Sequence, residues 1–128
     1  MTIELKLLVW CAVLALIQLL VAVVTAIMQV GLVPLVGNRE NLPAFEGLAG
    51  RAQRAHRNML ESLVIFAILV ITAQLAGKTS AATAFGAQLF FWGRLGYAPV
   101  YVIGIPWLRT GLWAIAFAGI LLILQQLL

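Results

Sequence analysis

Cysteine, histidine and acidic side chains are scarce in this sequence. Its 128 residues include one Cys, one His and four acidic side chains, none of which is Asp. Cys11 lies alone in an apolar run, so no intrachain disulfide can form, and its simplest role is that of a small apolar side chain. One His with one Cys cannot build a usual zinc site, and the lack of Asp excludes a Ser-His-Asp triad. We therefore predict no metal site.

Charge is scarce as well. Only 9% of the residues are charged, 64% are hydrophobic, and the mean hydropathy is +1.10, which excludes an ordinary soluble domain. We predict a single polytopic membrane domain over residues 1–128. The apolar run from Leu7 to Met28 is longer than a signal-peptide core, which indicates a retained first span. Four of the eight cations fall between residues 39 and 57, a distribution that favours membrane orientation and anion binding over a nucleic-acid partner.

The hydrophobic runs predict an all-α membrane protein, a bundle of four transmembrane helices with up-down topology. The spans cover about residues 5–33, 45–76, 81–105 and 108–127. We expect Pro34, Gly37 and Asn38 to end the first helix, with residues 34–44 as the one sizeable connection. The stretch from Gly77 to Ser80 has the composition of a tight turn.

The basic side chains predict the orientation. Four spans place both termini and the turn at Gly77 on one side, which carries Lys6 and Lys78. The other side carries five arginines: Arg39, Arg51, Arg54, Arg57 and Arg109. The positive-inside rule assigns the Arg-rich side to the cytoplasm, so we expect both termini on the non-cytoplasmic side.

One dense polar cluster stands out, at the start of the second span. On a helix, five of its side chains fall within an arc of about 120°, and His56 points the other way. The five are Arg51, Arg54, Arg57, Asn58 and Glu61. Such a face at a membrane boundary either anchors lipid headgroups or binds an anionic molecule.

The third span offers this cluster a partner. In an antiparallel hairpin around Gly77, residues whose numbers sum to about 155 lie at equal depth. This rule pairs Glu61 with Arg94, Asn58 with Tyr97, and Arg54 with Tyr101. Arg94 needs a partner because a charge in mid-span costs about 2.5–3.5 kcal/mol. Purely structural roles stay open. The Glu61–Arg94 pair could simply hold two helices together, and the two tyrosines could belong to the aromatic belt at the membrane–water interface.

The chemistry that suits these faces is the capture of a small, polar, multiply anionic molecule. Arginines hold carboxylates bidentately, while Asn58 and Glu61 suit amide and ammonium groups. A tripeptide such as glutathione has this mixture. We expect Arg109, early in the fourth span, to stabilise a thiolate with help from the Thr110 hydroxyl and the helix-end N–H groups.

Two stretches resemble a known family. The segment from Arg54 to Glu61, preceded by Arg51, resembles the second-helix signature of the MAPEG superfamily, the membrane-associated proteins in eicosanoid and glutathione metabolism. The stretch from Gly93 to Tyr101, with Arg109 and Thr110 after it, resembles the third and fourth helices of that superfamily. The order, spacing and four-span layout match along nearly the whole chain, most closely the small bacterial members.

This resemblance implies a homotrimer in a bacterial inner membrane, with glutathione at subunit interfaces open to the cytosol. It implies an integral membrane glutathione transferase or peroxidase that acts on hydrophobic electrophiles or lipid substrates in a detoxification role. Arg109 would activate the sulfur, with Thr110 beside it. The residues expected to hold glutathione are Arg51, Arg54, Arg57, Asn58, Glu61, Tyr97 and Tyr101, together with Arg94 from the depth rule.

The loss of a first-helix Arg favours an alternative, a non-catalytic trimer that binds lipid or another small anion in the same pocket, and two further departures bear on which reaction carries over from the family. Some members carry an Arg late in the first helix, whereas residues 28–32 here contain none. Trp113 stands where the eicosanoid-type enzymes have Tyr, and Tyr97 where some have His. A small drug exporter is disfavoured because Glu4 lies at the edge of the first span and Glu61 has an Arg at equal depth.

Overall fold

The computed structural model describes residues 1–40 and 42–128, and this part of the chain forms four long helices and one short helix. The helices are α1 (Ile3–Val30), α2 (Leu32–Val36), α3 (Gly47–Leu75), α4 (Ala81–Ile103) and α5 (Pro106–Leu127). The long helices α1, α3, α4 and α5 follow the four predicted spans in order. Asn41, in the predicted connection, lies outside the described residues.

The first helix ends earlier than the sequence suggested. Its break falls at Gly31, which has a φ of 86° that favours glycine, and the Gly31 N–H donates to the Ile27 carbonyl at 2.8 Å. Pro34 lies in the first turn of α2, where a missing N–H leaves no helical bond unmade. The expectation that Pro34 ends the first helix is therefore wrong, and the predicted connection contains part of α2.

Three of the helices, α1, α3 and α5, are long and apolar enough to cross a membrane. With 23 residues, α4 has a length of about 34 Å, which also exceeds a bilayer core. Its most apolar stretch of span length is less apolar than those of α1, α3 and α5, because α4 carries Gln88, Arg94 and two tyrosines along its length. The chain is an α-helical membrane protein, and the crossing of the bilayer by α4 stays a prediction.

The bundle core lies between α1, α3, α4 and α5. Phe66 and Phe90 stack with ring centroids 4.1 Å apart, and Cys11 is fully buried in the same cluster as a small apolar side chain. The helices α4 and α5 pack most closely: a Cβ built on Gly86 would lie 2.7 Å from the Gly119 carbonyl oxygen. Small residues thus let these two helices approach each other, as is common between membrane helices.

The end of the bundle that holds the α3–α4 turn is closed by hydrogen bonds. Glu4 is only 4% exposed, and its Oε2 accepts from the Thr83 hydroxyl at 2.9 Å. The Thr2 hydroxyl donates to Gln74 Oε1 at 2.8 Å. These bonds tie α1 to α3 and α4 and satisfy a buried carboxylate, while the Arg-rich cluster of α3 lies at the opposite end.

Candidate functional site

Arg94 is the largest fully buried side chain in the described part of the protein, with 1% exposure. Its Nη1 donates to Asn58 Oδ1 at 2.8 Å. The predicted pairing with Glu61 is therefore wrong: Asn58 lies about one turn closer to the Arg-rich end, and Glu61 is exposed. The reason is the length of the arginine side chain, which carries its charged group away from the depth of its own Cα, towards the polar end.

The remaining donors of Arg94 point to a ligand. Its guanidinium carbon lies 4.1 Å from the centroid of the Tyr97 ring, a cation–π contact. Within the described chain, Nε and Nη2 are buried and have no hydrogen-bond partner. Leaving buried donors unpaired costs about 1–3 kcal/mol for each group. An anionic or carbonyl group entering beside Arg94 would remove that cost.

Tyr101 connects three helices. Its hydroxyl accepts from Arg54 Nε at 3.2 Å, which confirms that the side chains of Arg54 and Tyr101 meet between α3 and α4. The guanidinium carbon of Arg109, from α5, lies 4.5 Å from the centroid of the same ring. The Tyr97 ring follows one turn away, with its centroid 5.5 Å from that of Tyr101. The predicted stripes of arginine and tyrosine therefore meet.

Other predicted site residues lie around this network. Arg51 Nε donates to the Val102 carbonyl at 2.8 Å, a bond that ties α3 to the last turn of α4, just before the α4–α5 connection. Thr110, one residue after Arg109, uses its hydroxyl to donate to the Pro106 carbonyl at 3.0 Å. Arg57 is exposed on α3 and takes no part in the contacts described above.

The described partners of these arginines are neutral. Arg51 donates to a backbone carbonyl, Arg54 to a phenol and Arg94 to an amide. Such contacts orient a guanidinium but leave its charge uncompensated. Over residues 1–40 and 42–128, no three His, Cys, Asp or Glu side chains come together as metal ligands. The uncompensated positive charge of the arginines therefore suits an anion.

A cleft of about 220 Å³ opens next to Arg94, between α3 and α5 with α4 as its floor. Asn58, Glu61 and Arg94 bring polar groups to it, and the remainder is mostly apolar. The other lining residues are Ser62, Ile65, Phe90, Trp113, Ala116, Phe117 and Ile120. The Trp113 and Phe117 rings stack with centroids 5.1 Å apart. This aromatic wall was not predicted from the sequence, although Trp113 follows Arg109 by four residues and so shares its helix face.

A comparison with protein families decides the relationship. The family model described as MAPEG family matches residues 7–128, which is nearly the whole chain. The chain belongs to the MAPEG family. No curated protein and no solved structure matches it. The protein is thus a membrane protein of the superfamily of glutathione and eicosanoid metabolism.

One departure from the MAPEG pattern has a structural counterpart. Gln29 lies in the stretch where some MAPEG members carry an arginine. Its Nε2 donates to the Ala44 carbonyl at 3.3 Å, and its Oε1 accepts from the Glu46 N–H at 3.0 Å. Both groups of the amide therefore hold the segment that leads into α3, so Gln29 has a structural role within the chain.

Proposed function

We propose that this MAPEG protein is an integral membrane glutathione transferase, with a glutathione peroxidase reaction open to the same thiolate. The observation that carries the proposal is the meeting of Arg54, Tyr101 and Arg109 from three helices. These contacts orient two guanidinium groups around one phenol without neutralising either charge. A small anion that carries a thiol fits such a site.

Each kind of residue in the site is proposed to bind the group of glutathione that complements its charge. Arginines suit its two carboxylates, Asn58 suits a peptide amide, and Glu61 suits the ammonium group. The unpaired Nε and Nη2 of Arg94 give one carboxylate or carbonyl a buried partner. The set proposed to hold glutathione is Arg51, Arg54, Arg57, Asn58, Glu61, Arg94, Tyr97 and Tyr101.

Arg109 is proposed to lower the pKa of the bound thiol. One pKa unit corresponds to about 1.4 kcal/mol, which a guanidinium in a partly dry site readily supplies. The contact with the Tyr101 ring holds the Arg109 guanidinium in place. The Thr110 hydroxyl lies next to Arg109 in sequence and would donate to the thiolate by turning away from the Pro106 carbonyl. Glutathione, when bound, supplies the nucleophile for hydrophobic electrophiles dissolved in the bilayer.

The assembly and orientation belong to the same proposal. Family membership supports a homotrimer with glutathione at the subunit interfaces, and the five arginines at one end of the bundle support a site that opens to the cytoplasm. A bacterial inner membrane and a detoxification role fit this placement. Both termini would then lie on the non-cytoplasmic side.

The test separates binding from activation by comparing two arginines. Arg54→Ala should raise the Kd for glutathione about tenfold or more, since it removes a charge-assisted contact with the ligand. Arg109→Ala should lower the thiolate fraction at neutral pH up to tenfold with a smaller change in Kd. Calorimetric titration gives the Kd, and the ultraviolet thiolate band gives the ionised fraction. Equal thiolate formation in wild type and Arg109→Ala would refute the assignment of Arg109.

A second candidate function is a non-catalytic trimer that binds lipid or another small anion in the same pocket. Gln29 favours it, because its amide fastens the segment before α3 instead of offering a cationic group to a neighbouring subunit. Conjugation of glutathione to a chlorinated aromatic, measured in nanodiscs, separates the two. Turnover that Arg109→Ala abolishes supports the transferase, whereas glutathione binding without turnover supports the alternative.

A further inference from the structure

A second cleft lies on the other side of α3 from Arg54. It has a volume of about 450 Å³ and lies between α1, α2 and the first turns of α3. Its apolar lining consists of Leu19, Ala22, Val23, Ala26, Ile27, Leu32, Leu35, Val36 and Phe45, and its polar lining of Arg39, Gln53 and His56. None of these residues takes part in the proposed glutathione site.

The apolar wall has the shape of a track along a membrane helix. Leu19, Val23 and Ile27 follow each other at four-residue intervals on α1 and extend over about 12 Å. All three are exposed, so the fold leaves this wall uncovered. Because α1 and α3 are both long and apolar enough to cross a membrane, the track has the length and polarity to hold an acyl chain.

The polar end of the cleft carries a positive charge. Arg39 follows α2, has a φ of 62° and donates from Nε to the Leu35 carbonyl at 2.6 Å. That bond uses one of the five N–H groups of the guanidinium and orients the plane that carries the other four. Gln53 and His56, one turn apart on α3, add neutral hydrogen-bonding groups to the same cleft.

We propose that this cleft binds one anionic phospholipid, with the phosphodiester on Arg39 and an acyl chain along α1. A free phosphate would use only the polar end and leave the apolar track exposed. A zwitterionic lipid fits the track but brings its own cation to Arg39. Basic pockets between membrane helices at the positive side are typical binding sites for anionic headgroups. The site is distinct from the glutathione face.

The experiment is a lipid titration of the detergent-purified full-length protein by native mass spectrometry, with phosphatidylglycerol and phosphatidylcholine that carry identical chains. Wild type should prefer phosphatidylglycerol about fivefold or more. Arg39→Gln should remove that preference, a change of about 1 kcal/mol. Arg54→Gln, which removes the same charge from the opposite face of α3, where it contacts Tyr101, should leave it unchanged. Glutathione binding should be the same in Arg39→Gln and wild type.

A second pair of variants tests the track independently of the charge. Ala22→Phe fills the cleft and should lower the retention of both lipids, whereas Ala12→Phe, at an exposed position of α1 outside the cleft, should not. Equal retention of the two lipids by wild type would overturn the proposal. An unchanged lipid preference in Arg39→Gln would also overturn it. So would undiminished lipid retention by Ala22→Phe, because the acyl chain would then not lie in this cleft.

Discussion

Replacing Arg94 by methionine should separate a ligand-binding role from a structural one. If Arg94 only held the helices together, its removal would lower the free energy of unfolding by about 3–5 kcal/mol, as breaking a buried ion pair usually does. The structure predicts otherwise. Arg94 makes one side-chain hydrogen bond, to Asn58, and buries two further nitrogen groups that have no partner in the described chain.

The magnitude follows from these contacts. Arg94→Met loses a charge-assisted bond of about 1.5–3 kcal/mol and a cation–π contact with Tyr97 of about 0.5–2 kcal/mol. It also removes the cost of two unpaired buried groups, about 1–3 kcal/mol each. The gains and losses are of similar size, so the free energy of unfolding of the ligand-free protein should change by less than about 2 kcal/mol. Methionine fills most of the same volume.

Ligand binding should respond much more strongly. In the complex, the lost contact is one between a buried guanidinium and an anion, so the Kd for glutathione should rise about tenfold to a hundredfold. Thermal unfolding in detergent measures both effects, because a ligand at a hundred times its Kd stabilises by about 2.7 kcal/mol. Arg94→Met should unfold near the wild-type temperature without glutathione and lose most of the upward shift with it. A large loss of stability with normal glutathione affinity would contradict this role.

Three further variants test neighbouring parts of the structure. Tyr101→Phe removes the hydroxyl that accepts from Arg54 Nε, so the Kd for glutathione, measured by calorimetry, should rise about fivefold while the thiolate band stays unchanged. An unchanged Kd would mean that this hydrogen bond does not orient Arg54. Gln18 is 7% exposed and its Oε1 has no partner in the described chain, so Gln18→Leu should raise the free energy of unfolding by about 1–3 kcal/mol. A lower free energy of unfolding would show that this oxygen has a partner. Gly86→Val should cost about 3 kcal/mol because a Cβ there meets the α5 backbone, whereas Gly111→Ala, with open space around it, should cost nothing; equal effects would refute the close approach.

The rule that pairs residues of α3 and α4 by depth predicted the right partner where two side chains meet directly. It predicted the wrong partner where one side chain extends along the helix. A hairpin of two regular helices fixes the heights of their Cα atoms, and Arg54 and Tyr101 meet as expected. Arg94 carries its charge about one turn towards the polar end and bonds Asn58 instead of Glu61. This rule contains no information on side-chain length, so the hydrogen-bond partner of a buried arginine can be identified only from the structure.

The apolar wall of the cleft beside Arg94 escaped prediction for a different reason. Apolar side chains occur all round α5, so no periodicity marks the face that turns inwards. The structure fixes that rotation through the close contact of Gly86 with Gly119, and the same rotation brings Trp113 and Phe117 to the cleft. A contact between small residues in the middle of the bundle thus determines which aromatic rings an electrophile would meet beside Arg94.

The short helix α2 explains why one chain can present two basic sites. A helix broken at Pro34 would have led directly into a loop, but the break at Gly31 starts a new turn that ends at Val36. Arg39 is then fastened to the Leu35 carbonyl and lines the same cleft as Leu19 and Ile27 of α1. His56 and Arg54 lie only two residues apart on α3, yet they serve different faces because successive helical residues are rotated by about 100°. Loss of either site should therefore leave the other intact, since the helix between them is held by its core contacts and by neither ligand.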